Sequence, residues 1–201
     1  MPRKILIMGL PGAGKTTLAK ALALRLSAVH FNADEIRYNI NKDLGFSEVD
    51  RIEQASRLGW LCDQVAKSGS FAIADLVCPI PAARVAFLKG GHAFIVFVDR
   101  IGESRFQDTN RLFVAPAEFD LRVTREGTID YWTEEIVRRL LPAFDPKSPT
   151  ALVVGRFQPF HQGHKALILE AALRVGQVCI GVRDTGGTDI NNPFDFEYVR
   201  M

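Results

Sequence analysis

Lys4-Ile-Leu-Ile-Met8 runs into Gly9-Leu-Pro-Gly-Ala-Gly14-Lys15-Thr16, and apolar residues at helical spacing follow as far as Leu26. This stretch decides the fold class. A continuous β-favouring run is what a strand buried on both faces needs, as in a parallel sheet. The loop fits G-x-x-x-x-G-K-[ST] in full, with a strand before it and a helix after it, the context the motif requires. Backbone N–H groups can converge on a phosphate only where glycine permits left-handed backbone. The helix N-terminus adds positive potential. Lys15 then reaches the β- and γ-phosphates, and the Thr16 hydroxyl serves Mg²⁺. The expected ATP-binding residues are Gly9, Gly12, Ala13, Gly14, Lys15, Thr16 and Thr17, with ATP and Mg²⁺ as the cofactors.

Outward from this core, two more strand-like runs stand at Phe71-Ala-Ile-Ala74 and Ala93-Phe-Ile-Val-Phe-Val98, each preceded by glycine. A short strand is expected at Val29-His-Phe-Asn32. Helical patterns fill Ser47 to Lys67, Ile80 to Leu88 and Tyr131 to Leu141. Alternating strands and helices imply an α/β fold, a parallel sheet flanked by helices. Between Pro142 and Thr150 stand three prolines in nine residues, a composition that neither extends a helix nor pairs inside a sheet. The expected organisation is a kinase-type domain over 1–143, a linker over 144–150 and a partial Rossmann-like unit over 151–201. That last unit has a strand from Ala151, a helix from Gly163 to Val175 and a strand at Val178 to Val182.

The chain has 201 residues, 25 basic against 23 acidic, so no strong field draws it to nucleic acid or membrane. Cys62, Cys78 and Cys179 are odd in number and widely spaced. They read as small hydrophobes in a reducing compartment rather than as a disulfide frame. No apolar run approaches a membrane span. The expectation is a soluble, cytoplasmic protein.

Past the second strand, Asp34-Glu35-Ile-Arg37 sets a carboxylate at the edge of the sheet where ligands bind. There Asp34 can take a proton from an attacking hydroxyl or help hold Mg²⁺, and Arg37, one helical turn on, can grip an anion. The bland alternative is a helix cap at Asp34 with a solvated arginine. Next come Asn41-Lys-Asp-Leu-Gly-Phe46-Ser47 and Asp50-Arg51-Ile-Glu53, where Ser47 is a natural N-cap. These segments resemble the adenylylsulfate kinases, over roughly Lys4 to Leu141. Phe71 to Pro79, Ala115-Pro116 and Asp120 to Thr124 share in the resemblance. It implies transfer of the ATP γ-phosphoryl group to the 3′-hydroxyl of adenosine 5′-phosphosulfate. It also implies Arg37, Asn41, Phe46 and Arg51 at the acceptor, and Thr16, Asp34 and Asp75 toward Mg²⁺. A small nucleotide substrate and a homodimer are the partners allowed for.

Two departures stand out. The family's Asp-Gly-Asp is Asn32-Ala33-Asp34 here. An amide cannot take a proton, so base or metal duty at this segment falls on Asp34, and restoring the acid by Asn32→Asp is expected to preserve or raise turnover. The family's basic lid is replaced by a segment holding Arg105 and Arg111, which are expected to stabilise the transferring charge. Asn32 and Asp34 with Asp75 also resemble the pattern of polynucleotide 5′-hydroxyl kinases, but the balanced charge and the sparse aromatics disfavour a polynucleotide acceptor. Another small-molecule kinase and a nucleotide-binding scaffold are the remaining alternatives.

In the last unit, Gly155-Arg156-Phe157 leads to His161-Gln-Gly-His164 at a strand-to-helix turn. This block resembles the HxGH nucleotidylyltransferases, and Asn192-Pro193-Phe194 with Arg200 fits their pattern. The resemblance implies Arg156, His161 and His164 as nucleotide-binding residues. The expectation is a truncated unit, inactive alone.

Overall fold

The computed structural model describes residues 3–141, 145–183, 186–188, 190 and 193. Two compact units divide the chain, Met1–Pro142 and Ala143–Met201. In the first, strands β1 (Lys4–Met8), β2 (Val29–Asn32), β3 (Ala72–Leu76), β4 (Phe94–Val98) and β5 (Leu121–Val123) form one parallel sheet in the order β2-β3-β1-β4-β5. The helices are α1 (Lys15–Leu26), α2 (Ala33–Asn39), α3 (Glu48–Lys67), α4 (Pro81–Leu88), α5 (Gln107–Leu112) and α6 (Ile129–Leu140).

All five residues of β1 are buried because helices cover both faces of the sheet. Its alternate side chains enter opposite cores. Ile5 and Ile7 join Leu18, Leu22, Ile136 and Leu140 under α1 and α6. Leu6 and Met8 join Leu58, Cys62, Ala83 and Phe87 under α3 and α4. The α3–α4 contact is closest at Gly59, where a Cβ would stand 2.2 Å from the Phe87 carbonyl oxygen.

The boundaries follow local chemistry. Ser47 caps α3 in a reciprocal box with Asp50, so the helix begins at Glu48. Thr128 caps α6 by accepting from the Tyr131 N–H, so the helix begins at Ile129, two residues earlier than the expected start. Leu141 is extended, as suits the residue before a proline.

The second unit holds β6 (Ala151–Gly155), α7 (Gln162–Val175) and β7 (Val178–Val182), with the two strands parallel. Leu152, Val154 and Cys179 lie exposed on one face of this pair. Of the expected linker, Asp145 to Thr150 is tied into this unit. Gln177 Nε2 donates to the Asp145 carbonyl at 2.7 Å and to Thr150 Oγ1 at 2.6 Å.

Candidate active site

The loop between β1 and α1 turns on Gly9, Gly12 and Gly14, all with positive φ. At Gly9 no side chain fits, since a Cβ would stand 2.3 Å from the Val98 carbonyl oxygen. Gly14 is the N-cap of α1 and supplies no side-chain cap, which leaves the helix's first N–H groups to a ligand. Ala13 is buried in the core and contributes backbone only. Lys15 is 8% exposed, and its Nζ donates to the Leu10 carbonyl at 2.9 Å. Burial pushes its pKa down, while the charges of Asp75 and then Asp34 pull it back up.

A cleft of about 940 Å³ opens beside the loop. Gly12, Gly14, Lys15, Thr16 and Thr17 line it, as do Asp34, Arg37, Phe46, Arg51, Asp75 and Arg105. Gly9, Ala13, Asn41 and Arg111 are absent from its lining. Asn41 is 2% exposed and donates to Gln54 Oε1 at 2.8 Å, while Gln54 Nε2 donates to the Ala33 carbonyl at 3.0 Å. Asn41 thus stands behind Gln54, which itself lines the cleft. Gln54 lies one helical turn past Arg51, a spacing that was available in the sequence. Arg111 is exposed on α5. Thr109 is buried at 4%, and two residues along a helix turn a side chain by about 200°.

Asp75, 2% exposed at the end of β3, is enclosed by donors. Thr16 Oγ1 donates to its Oδ2 at 2.6 Å, and Asn32 Nδ2 reaches both oxygens at 3.1 and 3.2 Å. His30 Nε2 lies 2.6 Å from Oδ1. Asn32, not Asp34, caps α2, its Oδ1 accepting from the N–H groups of Asp34 and Glu35 at 3.1 and 2.9 Å. Asp34 is left exposed and facing the cleft. Asn32 and Asp75 are direct partners in the β2–β3 register. An acid at position 32 would face a buried carboxylate, so Asn32→Asp would set two carboxylates against each other there. Thr16, Asp34 and Asp75 offer only hard oxygens, which suit Mg²⁺. Among the described residues, no cluster of three or more His, Cys, Asp or Glu forms a closed cage. The set fits a cation whose remaining ligands come from phosphate and water.

Across the cleft, the Phe46 ring lies beside two guanidinium groups, with Arg37 4.7 Å and Arg51 5.7 Å from its centroid. Arg37 Nη1 donates to the carbonyls of Leu44 and Gly45. Arg51 donates to the Phe46 carbonyl at 2.9 Å and to Thr109 Oγ1 at 3.2 Å. Burial, followed by the neighbouring Arg51 charge, lowers the Arg37 pKa from its ordinary value. On the lid side, Arg105 packs on Phe106 at 4.8 Å. Ser104 and Asn110 bond to one another through three contacts of 2.7 to 3.0 Å. The sequence offered no pointer to Arg100, whose Nη1 stands 3.3 Å from where a Gly14 Cβ would be.

In the second unit, His161 caps α7, its Nδ1 accepting from the Gly163 N–H at 3.1 Å. His164 Nδ1 accepts from the His161 N–H at 3.4 Å. Capping through Nδ1 puts the proton of each neutral ring on Nε2. The rings stack at 3.8 Å, and Phe157 meets His164 edge-on at 5.0 Å. Arg156 is exposed. Asn192, Phe194 and Arg200 lie outside the described residues.

A parallel sheet with a phosphate loop at the carboxyl end of its central strand, flanked by helices on both faces, defines a P-loop kinase fold. Residues 1–116 match the adenylylsulphate kinase family, and the chain belongs to it. A probable bifunctional SAT/APS kinase 2 of Sorangium cellulosum is 42% identical over 81 residues, 38% of this chain and 14% of that protein. An adenylyl-sulfate kinase of Gloeothece citriformis is 36% identical over 80 residues, 37% of this chain and 46% of that protein. The chain thus spans less than half the length of these two relatives. The structure of the Mycobacterium tuberculosis APS kinase CysC in complex with AMPPNP and APS superposes with a TM-score of 0.60 at 26% identity, covering 70% of this chain and 99% of that one.

Proposed function

We propose that the chain transfers the γ-phosphoryl group of ATP to the 3′-hydroxyl of adenosine 5′-phosphosulfate. The observation that carries this is one cleft that holds the phosphate loop, the Asp34 and Asp75 carboxylates, and the Phe46 ring beside Arg37 and Arg51. Membership in the adenylylsulphate kinase family supports the choice of acceptor, as does the likeness to a protein solved with AMPPNP and APS. The loop N–H groups and Lys15 would bind the β- and γ-phosphates. Thr16, Asp34 and Asp75 would hold Mg²⁺, which supplies charge neutralisation on the phosphates when bound. The exposed Asp34 would accept the proton of the acceptor hydroxyl. Asp75, its oxygens already engaged, would position rather than accept. The Phe46 face offers stacking to a base, and Arg37 and Arg51 offer charge to an anionic acceptor. Arg105 would steady the transferring charge from the lid.

Phosphate transfer from labelled ATP to a panel of acceptors tests this. Transfer to adenosine 5′-phosphosulfate is expected. Transfer to a 5′-hydroxyl oligonucleotide instead would overturn the acceptor.

The same proposal takes 1–143 as the kinase domain, in the cytoplasm and as a homodimer, which light scattering checks. For 151–201, beyond the 144–150 segment, we infer a partial nucleotidylyltransferase-like unit that presents Arg156, His161 and His164 to a triphosphate. The two imidazoles stacked at a helix N-terminus support this. In a Lys15→Ala background, binding of a nucleoside triphosphate that His164→Ala then abolishes would support it, and unchanged binding would sink it.

A further inference from the structure

His30 makes a contact that the phosphoryl-transfer chemistry above leaves unused. Its ring is 15% exposed, and its Nε2 lies 2.6 Å from Asp75 Oδ1. A bond of that length to a carboxylate requires the proton on Nε2. His30 and Asn32 are alternate residues of β2 and share one side of the strand. Pairing of β2 with β3 sets Asn32 directly opposite Asp75. The three donors divide the carboxylate between them. His30 holds Oδ1, Thr16 of the phosphate loop holds Oδ2, and Asn32 bridges the two oxygens.

The two oxygens of a carboxylate are equivalent and the terminal torsion of an aspartate is broad, so burial by itself does not decide how the carboxylate plane is turned. Thr16 engages one oxygen and Asn32 reaches both. His30 engages the oxygen that Thr16 leaves, so the two donors together set the plane.

We propose that His30 is a positioning residue for the kinase site: it fixes the plane of the Asp75 carboxylate so that one oxygen stays turned to Thr16 and the nucleotide. The carboxylate that the related pattern carries at position 32 is thereby supplied from β3, with an amide opposite it and an imidazole behind it. This rests on the reading of the cleft as an ATP site.

Calorimetric titration of the full chain with ATP, with and without magnesium, tests it. In the parent, magnesium tightens ATP binding. In His30→Leu that tightening shrinks by about 10-fold, the scale on which a residue supporting a metal ligand acts, while magnesium-free ATP binding stays within about twofold of the parent. His30→Gln, whose terminal N–H₂ can replace the Nε2 donor, recovers most of the magnesium effect. An undiminished magnesium effect in His30→Leu overturns the proposal. So does an equal loss in both variants, which would make His30 a packing residue. A parent that binds no ATP in either condition instead defeats the assignment of the cleft itself, and the role of His30 falls with it.

Discussion

The turn before α1 and the turn before α7 both lead from a strand into a helix N-terminus, and they are built differently. The turn before α1 leaves β1, whose five residues are all buried between two helical layers. The turn before α7 leaves β6, where Leu152 and Val154 are 67% and 68% exposed. At the first turn, residues far apart in sequence converge, since Thr16 meets Asp75 across 59 positions. At the second, the contacts of His161 and His164 are local, with Phe157, Phe160 and Gly163. The same local device thus acquires a carboxylate, a capped amide and an arginine pair only where a sheet of several strands brings them to it.

The comparison breaks most readily at Lys15. Lys15→Ala is expected to cost about 10²–10³-fold in kcat for phosphoryl transfer, the scale of one lost electrostatic stabiliser. Near-normal turnover by steady-state assay would mean the first turn is not the working site. Asn32→Asp comes next. It sets a second carboxylate against the buried Asp75 and is expected to destabilise the first unit by about 3 kcal/mol in chemical denaturation. Unchanged stability would mean that the Asn32–Asp75 contact is not tight in solution. Arg37→Ala and Arg51→Ala are expected to raise the acceptor KM by the equivalent of about 1.5–3 kcal/mol, with the KM for ATP little moved. A rise in the ATP value alone would remove both arginines from the acceptor side.

The smallest test sharpens the contrast between the units through their thiols. Burial pushes the pKa of Cys62 and of Cys78 up to about 12, whereas Cys179 is exposed. The thiolate is the reactive form, so at pH 8 neither buried thiol ionises appreciably. Native protein should therefore release one equivalent from a thiol reagent quickly, and the other two only on unfolding. Rapid reaction of all three would show that the first unit opens more readily than its packing implies.

Sequence by itself determined the strand, loop and helix at Lys4 to Leu26, the parallel α/β class, and α3 with its Ser47 cap. Each rests on interactions within a few residues, where periodicity, glycine and capping chemistry are legible. Of the short elements, α2 was legible as the one turn from Asp34 to Arg37, whereas α5 and β5 escaped it, because six and three residues carry too little periodicity to stand out. Tertiary structure alone decided which polar residues face the cleft. Asn41 lies beneath Gln54, and Arg111 turns outward because α5 buries Thr109. It also decided that Asn32 serves Asp75 as well as capping α2. That outcome depends on the β2–β3 register, which pairs residues 43 positions apart. Strand register is set by packing of the whole sheet, and no local stretch of sequence encodes it.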